Sequence, residues 1–238
     1  MFEGLFRNIT ETEKNNAIES IIQHATPRSD FFLMLVLSIS MASFGIMLNS
    51  VIILIGSMLI APLLYPLISL ALGIIATDDK LIGRSLYTFI KSIGLSLVAG
   101  FIIGFFLSSA SLGEVAFFSS VTANSSASMM YAVVAAIAGF AAAFAVTKPH
   151  LNETLPGVAI SVALVPPLAE AGIGLSMFDW TVFSNAILLL LVNIIGIVFS
   201  AMIVFSLMRF SVKKPITQEA VKEEDKVVEK EESKNAVV

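Results

Sequence analysis

The chain has 238 residues, 57% of them hydrophobic and 13% charged, with a mean hydropathy of +0.92 and a formal net charge of −4. Soluble proteins carry about 25% charged residues, so this composition excludes an ordinary water-soluble domain and implies hydrocarbon as the main solvent. The net charge says little about partners, because seven acidic residues and six lysines fall between Lys213 and Val238, and the lack of cysteine excludes disulfides, thiolate metal sites and cysteine nucleophiles.

Charges run throughout the first 30 residues, which lack a continuous apolar stretch. No cleavable signal is therefore expected, and the first hydrophobic segment should stay as a membrane helix. Thr10-Glu11-Thr12-Glu13 has the form of a capping box, and Ala17, Ile18, Ile21 and Ile22 make an apolar stripe. Residues 1–29 are expected as a cytoplasmic interfacial segment whose helix, ending before Pro27, docks on the membrane surface.

A bilayer core about 30 Å thick needs roughly 20 apolar residues of helix. Six stretches qualify: Phe31 to Leu48, Val51 to Ala76, Leu86 to Leu107, Met129 to Val146, Thr154 to Met177 and Val182 to Met208. They define a transmembrane domain over residues 30–208. The charged tail, residues 209–238, mixes Lys and Glu without a wide apolar face, so it is expected to be disordered or a frayed helix. With the N-terminus inside, Arg7, Lys14, Arg28, Lys80, Arg84, Lys148, Arg209 and the tail lysines all fall on the cytoplasmic side. That partition predicts an integral protein of the cell membrane with both termini cytoplasmic.

The second and fifth spans carry the same pattern, Ser57-x4-Pro62-x-Leu64 and Ser161-x4-Pro166-x-Leu168. Each is second in a run of three helices, and three is odd, so the halves 31–107 and 129–208 should cross the bilayer in opposite directions. The expected fold is all-α: a polytopic membrane protein with six transmembrane helices in two inverted three-helix repeats. Proline should interrupt its second and fifth helices, and Pro62 should fall on or beside Pro166 when the halves are superposed.

Gly56-Ser57-Met58-Leu59-Ile60-Ala61-Pro62, Val162-Ala163-Leu164-Val165-Pro166-Pro167-Leu168 and Leu191-Val192-Asn193-Ile194-Ile195 occur in that order. With them the chain, from about Phe31 to Leu207, resembles the uncharacterised hydrophobic membrane family called domain of unknown function 389. Many relatives place a folded cytoplasmic domain before the membrane region, where this chain has about 30 residues. The resemblance implies the membrane fold and brings no activity with it.

The chemistry-bearing residues lie in the spans. Proline removes a helix hydrogen bond, freeing carbonyls near Met58 and Val162, with Ser57 and Ser161 one residue before them. Two readings stay open: simple kinks, or unwound segments whose half-helix N-termini starting at Pro62 and Pro166 favour an anion. Glu170 lies in a run otherwise free of charge from Thr154 to Phe178. An ionised side chain there costs about 2.5 to 3.5 kcal/mol on insertion scales, so Glu170 reads as a proton acceptor, a cation ligand or a counter-charge to Lys91. A carboxyl reaching a watery outer vestibule is the other reading. Lys91 reads as a side chain snorkelling to the headgroups, and Asn193 as either helix-to-helix glue or a ligand contact.

Gly100-x3-Gly104 and Gly196-x3-Ser200 read as close helix contacts, or as a homo-oligomer interface. No HExxH, GxSxG or P-loop pattern occurs, and both histidines, His24 and His150, fall outside the spans. The sequence thus predicts a transporter or channel for a small solute or ion, with Ser57, Pro62, Ser161, Pro166, Pro167, Glu170 and Asn193 at its site. No enzyme activity, cofactor or nucleic-acid partner is expected. The alternative is a structural or signalling membrane protein whose cytoplasmic ends bind partners.

Overall fold

The computed structural model describes residues 10–109, 125–148, 156–210 and 214–235. Their regular structure is helical: α1 (Glu11–His24), α2 (Ser29–Met47), α3 (Val51–Ile60), α4 (Leu64–Ala76), α5 (Asp79–Ser109), α6 (Ser125–Val146), α7 (Pro156–Ser176), α8 (Trp180–Leu207) and α9 (Lys214–Asn235). By length and composition α2, α5 and α8 can each cross a membrane, and α3 with α4 forms a fourth candidate span bent by 50°. Leu33, Ile52, Phe106, Ile137, Ile195 and Phe199 are all well exposed. A water-soluble monomer rarely exposes so much large apolar surface, so the helices and their outer faces fit an integral membrane protein.

Local chemistry explains the bend. Proline pushes the residue before it out of the helical region, and Ala61 indeed adopts φ −70°, ψ 123°, ending α3. In the last turn before this break the Ser57 carbonyl accepts a hydrogen bond from Ser38 Oγ on α2 at 2.7 Å, while Ser57 Oγ turns back to the Leu54 carbonyl at 2.6 Å. The interruption expected in the fifth span is absent. α7 continues from Pro156 to Ser176 with Pro166 and Pro167 inside it. This helix is central, packing on α2, α3, α4, α5, α6 and α8, and Leu164, Val165, Leu168 and Ala169 are fully buried. Neighbours on all sides hold the backbone helical where the proline alone would release it.

One connector recurs three times. At the α2–α3, α4–α5 and α7–α8 turns a residue takes left-handed backbone geometry: Asn49, Thr77 and Phe178, with φ 51°, 54° and 55°. The next residue returns its N–H to a glycine carbonyl five positions back: Ser50 to Gly45, Asp78 to Gly73 and Asp179 to Gly174, at 2.8, 3.0 and 2.9 Å. That same residue caps the following helix. Each glycine is needed for closeness, since a Cβ on Gly45, Gly73 or Gly174 would lie 3.0, 3.1 or 2.9 Å from the backbone N of Leu54, Ile82 or Phe183 respectively.

The last two connectors match position for position with an offset of 101 residues, and the match extends back to Pro66-Leu67 and Pro167-Leu168. It pairs Pro66 with Pro167, which leaves Pro62, expected on or beside Pro166, three residues away from it in this register. The two hairpins also point in opposite directions. Gly100 faces Gly172, and Gly104 faces Ile173 and Ser176, so α5 and α7 run parallel. The α4–α5 turn therefore lies at one end of the molecule and the α7–α8 turn at the other. Gly100 and Gly104 thus meet α7 of the same chain.

Both chain ends depart from expectation. The capping box is present, with Thr10 accepting from the Glu13 N–H and Glu13 accepting from the Thr10 N–H at 2.7 Å. The stripe of α1 is covered by protein: Ala17, Ile18, Ile21 and Ile22 are buried where α1 packs on α4 and α9. The tail, expected to be disordered or frayed, is the helix α9. Its face at Thr217, Ala220 and Val221 is narrow but matches a ready-made partner, and all three are buried.

Candidate functional site

Glu170 sits on α7, one turn beyond Pro166, at 1% relative exposure. Its Oε2 has no hydrogen-bond partner among the described residues. A buried polar atom left unpaired is costly, and a carboxylate more so, which marks the position as one kept for something other than stability. Tyr131, on the partly buried start of α6, lies close enough to Glu170 to interact electrostatically. Lys91 does not act as counter-charge. Its ammonium lies 4.6 Å from the Phe32 ring centroid and 5.9 Å from that of Tyr87, at an exposed position on α5.

The other expected site residues divide. Ser57, Pro166, Pro167 and Asn193 are buried on α3, α7 and α8, and α7 packs on both of the other helices. Pro62 instead lines a cavity of about 360 Å³ shared with Gln23, His24, Thr26, Arg28 and Ile60, which none of the other expected site residues lines. The backbone at Ser161 belongs to α7, and its side chain lies outside the described residues. Sequence reasoning missed Ser96, whose buried Oγ also lacks a partner among the described residues. It lies one turn before Gly100, on the face of α5 that meets α7. The signal available was a serine in register with the small residues of that helix.

A second polar cluster joins the chain ends, and it too was missed. Thr217 Oγ1 donates to Asp78 Oδ2 at 2.8 Å, while Asp78 Oδ1 caps α5 by accepting from the Lys80 and Leu81 N–H groups. Arg84 pairs with Asp225 at 2.7 Å and donates to the Val221 carbonyl and to Thr26 Oγ1. Arg28 pairs with Glu224 at 2.6 Å. That carboxylate, through its hydrogen bond, raises the guanidinium above its already high ordinary range. The signal was the spacing of Thr217, Val221, Glu224 and Asp225 along one helical face.

A family model described as a domain of unknown function, DUF389, matches residues 58–199, more than half of the chain. An uncharacterized protein of Methanocaldococcus jannaschii is 34% identical over 174 residues, which are 73% of this chain and 52% of that protein. The chain therefore spans about half the length of the relative it matches. No solved structure matches it. The matched region holds the α3–α4 break, the two equivalent hairpins and Glu170, and on that match the chain belongs to the DUF389 family.

Proposed function

We propose that the protein is a membrane transporter or channel for a small solute or ion, built as six transmembrane helices in two inverted repeats. The observation that carries this reading is Glu170, fully buried on the central helix with one carboxylate oxygen unpaired among the described residues. An intramembrane carboxylate of this kind is seldom retained for stability and serves ion and proton pathways. The two matched hairpins, 101 residues apart and oppositely directed, support the inverted repeat. Contact between α1 and α9 supports an even number of crossings, with both ends on the side rich in Lys and Arg, the cytoplasm. The alternative, a protein whose ends recruit partners, draws less support because the apolar faces of α1 and α9 cover each other. The test is reconstitution into liposomes, comparing flux of protons, cations and anions with that of protein-free vesicles. Flux of one class above the control is expected, and none for any class would defeat the proposal.

A further inference from the structure

The register of the two hairpins identifies what is unusual about Glu170. In the first hairpin Ser69 on α4 faces Ser85 on α5, and Ser85 Oγ donates to Ser69 Oγ at 2.8 Å. Adding 101 to each number gives Glu170 on α7 and Ala186 on α8. The equivalence is structural, because Gly73 touches Ile82 as Gly174 touches Phe183, and Asp78 and Asp179 cap their helices in the same way. Where one hairpin has two hydroxyls in contact, the matching positions of the other hold a carboxyl and a methyl group. Ala186 is fully buried and its side chain offers no donor, in keeping with the lack of a partner for Glu170 Oε2 among the described residues.

The structure also removes the argument for an anion at this position. That argument needed a half-helix N-terminus beginning at Pro166, and α7 passes through both prolines unbroken. What remains is a buried acceptor with no donor among the described residues. We infer that Glu170, matched in register to Ser69 as Ala186 is to Ser85, is a proton-binding site, so that the proton is the substrate or coupling ion of the proposed transporter. Loading forms an O–H bond on Oε2 as hydronium gives up its proton and leaves as water, and unloading reverses it. The acid so formed carries its own donor and needs no counter-charge.

The surrounding helices supply little else that ionises. α3 and α8 carry no ionisable residue, α2 only Asp30 in its first turn, α4 only Tyr65, and α6 only Tyr131. On α5, Asp79, Lys80 and Arg84 lie in the first two turns at the end remote from Glu170, and the Lys91 ammonium lies against the rings of Phe32 and Tyr87. Among the described residues Tyr131 lies within electrostatic range of Glu170.

The inference rests on the transporter reading only for the role of the proton, and the test reads the site itself. Infrared difference spectra of the purified full-length protein in lipid nanodiscs are recorded as pH is lowered, for wild type, Glu170→Gln and Ala186→Ser. The other carboxyls give protonated-carbonyl absorption common to all three proteins, and one further component, the band followed here, is expected in wild type and missing in Glu170→Gln. In Ala186→Ser the band should shift, because the new hydroxyl completes the hydrogen bond that Ser85 makes in the first hairpin. Exchanging sodium, potassium and choline at fixed pH should leave it unchanged. The inference is overturned if Glu170→Gln keeps the band, if Ala186→Ser does not move it, or if a metal cation displaces it. The band without flux would defeat transport alone, and flux without the band would defeat the proton site alone.

Discussion

Thr217 ties the last helix to the α4–α5 turn through Asp78: its hydroxyl donates to Oδ2 at 2.8 Å, and both side chains are fully buried. A hydrogen bond to a buried charge is worth about 1.5–3 kcal/mol, whereas a solvent-touching ion pair is worth about 0–1 kcal/mol. Thr217→Val should therefore release α9 more than Arg28→Gln, although the latter removes a charge pair. Hydrogen exchange over residues 214–235 measures it. Larger loss of protection in Arg28→Gln would show that the ion pairs, and not Asp78, hold the tail.

The α5–α7 crossing makes a second prediction. A Cβ on Gly172 would lie 2.7 Å from the Gly100 Cα and 2.9 Å from its carbonyl carbon, so Gly172→Ala forces two backbones apart. Overpacking of this kind costs about 1–3 kcal/mol. Gly94, on the same α5, has nothing within 4 Å of an added Cβ. Gly94→Ala should be neutral or stabilise by up to about 1 kcal/mol through helix propensity. Thermal unfolding in one detergent compares them, and equal melting temperatures would contradict the close crossing.

The α3–α4 bend depends on Pro62 and is held by Ser38. Pro62→Ala restores an N–H and frees Ala61 to become helical. Spin labels at Ile52→Cys and Ile74→Cys, both exposed, should then report a longer separation than in the proline-containing chain. An unchanged distance would place the cause of the bend in packing. Ser38→Ala should cost about 0.6–1.7 kcal/mol, the range for a hydrogen bond between membrane helices.

Much of this was legible from sequence because it depends on composition and on local rules. The apolar stretches, the capping box at Thr10 and Glu13 and the break at Pro62 are fixed by residues within a turn or two of one another. The continuity of α7 through Pro166 and Pro167 was not legible, since six neighbouring helices supply what local chemistry lacks. The same holds for α9, whose narrow face at Thr217, Ala220 and Val221 gains meaning only from Asp78, Arg84 and the stripe of α1. Glu170 stood out as a lone charge in an apolar run, but its missing partner required the register that pairs it with Ser69 and Ala186 with Ser85. That register was hidden because Ser-x4-Pro-x-Leu recurs three residues away from it.

Topology has a direct check in a chain without cysteine. With both ends cytoplasmic, Met177→Cys at the α7–α8 turn should react with an impermeant reagent from outside intact cells, and Ser233→Cys on α9 should not. Labelling of position 233 from outside would place the tail on the wrong side and undo the six-crossing proposal.

The most direct test of the central claim compares wild type and Glu170→Gln in liposomes carrying a proton gradient, with thermal unfolding measured in parallel. Glutamine keeps the shape and removes the proton-binding oxygen, so the variant should insert and unfold like wild type, or slightly later, because a buried charge has been removed. Wild type should dissipate the gradient, and the variant at least about tenfold more slowly, equivalent to ~1.4 kcal/mol in the barrier. Equal rates from the two proteins, both above protein-free vesicles, would take Glu170 out of the pathway and contradict the account.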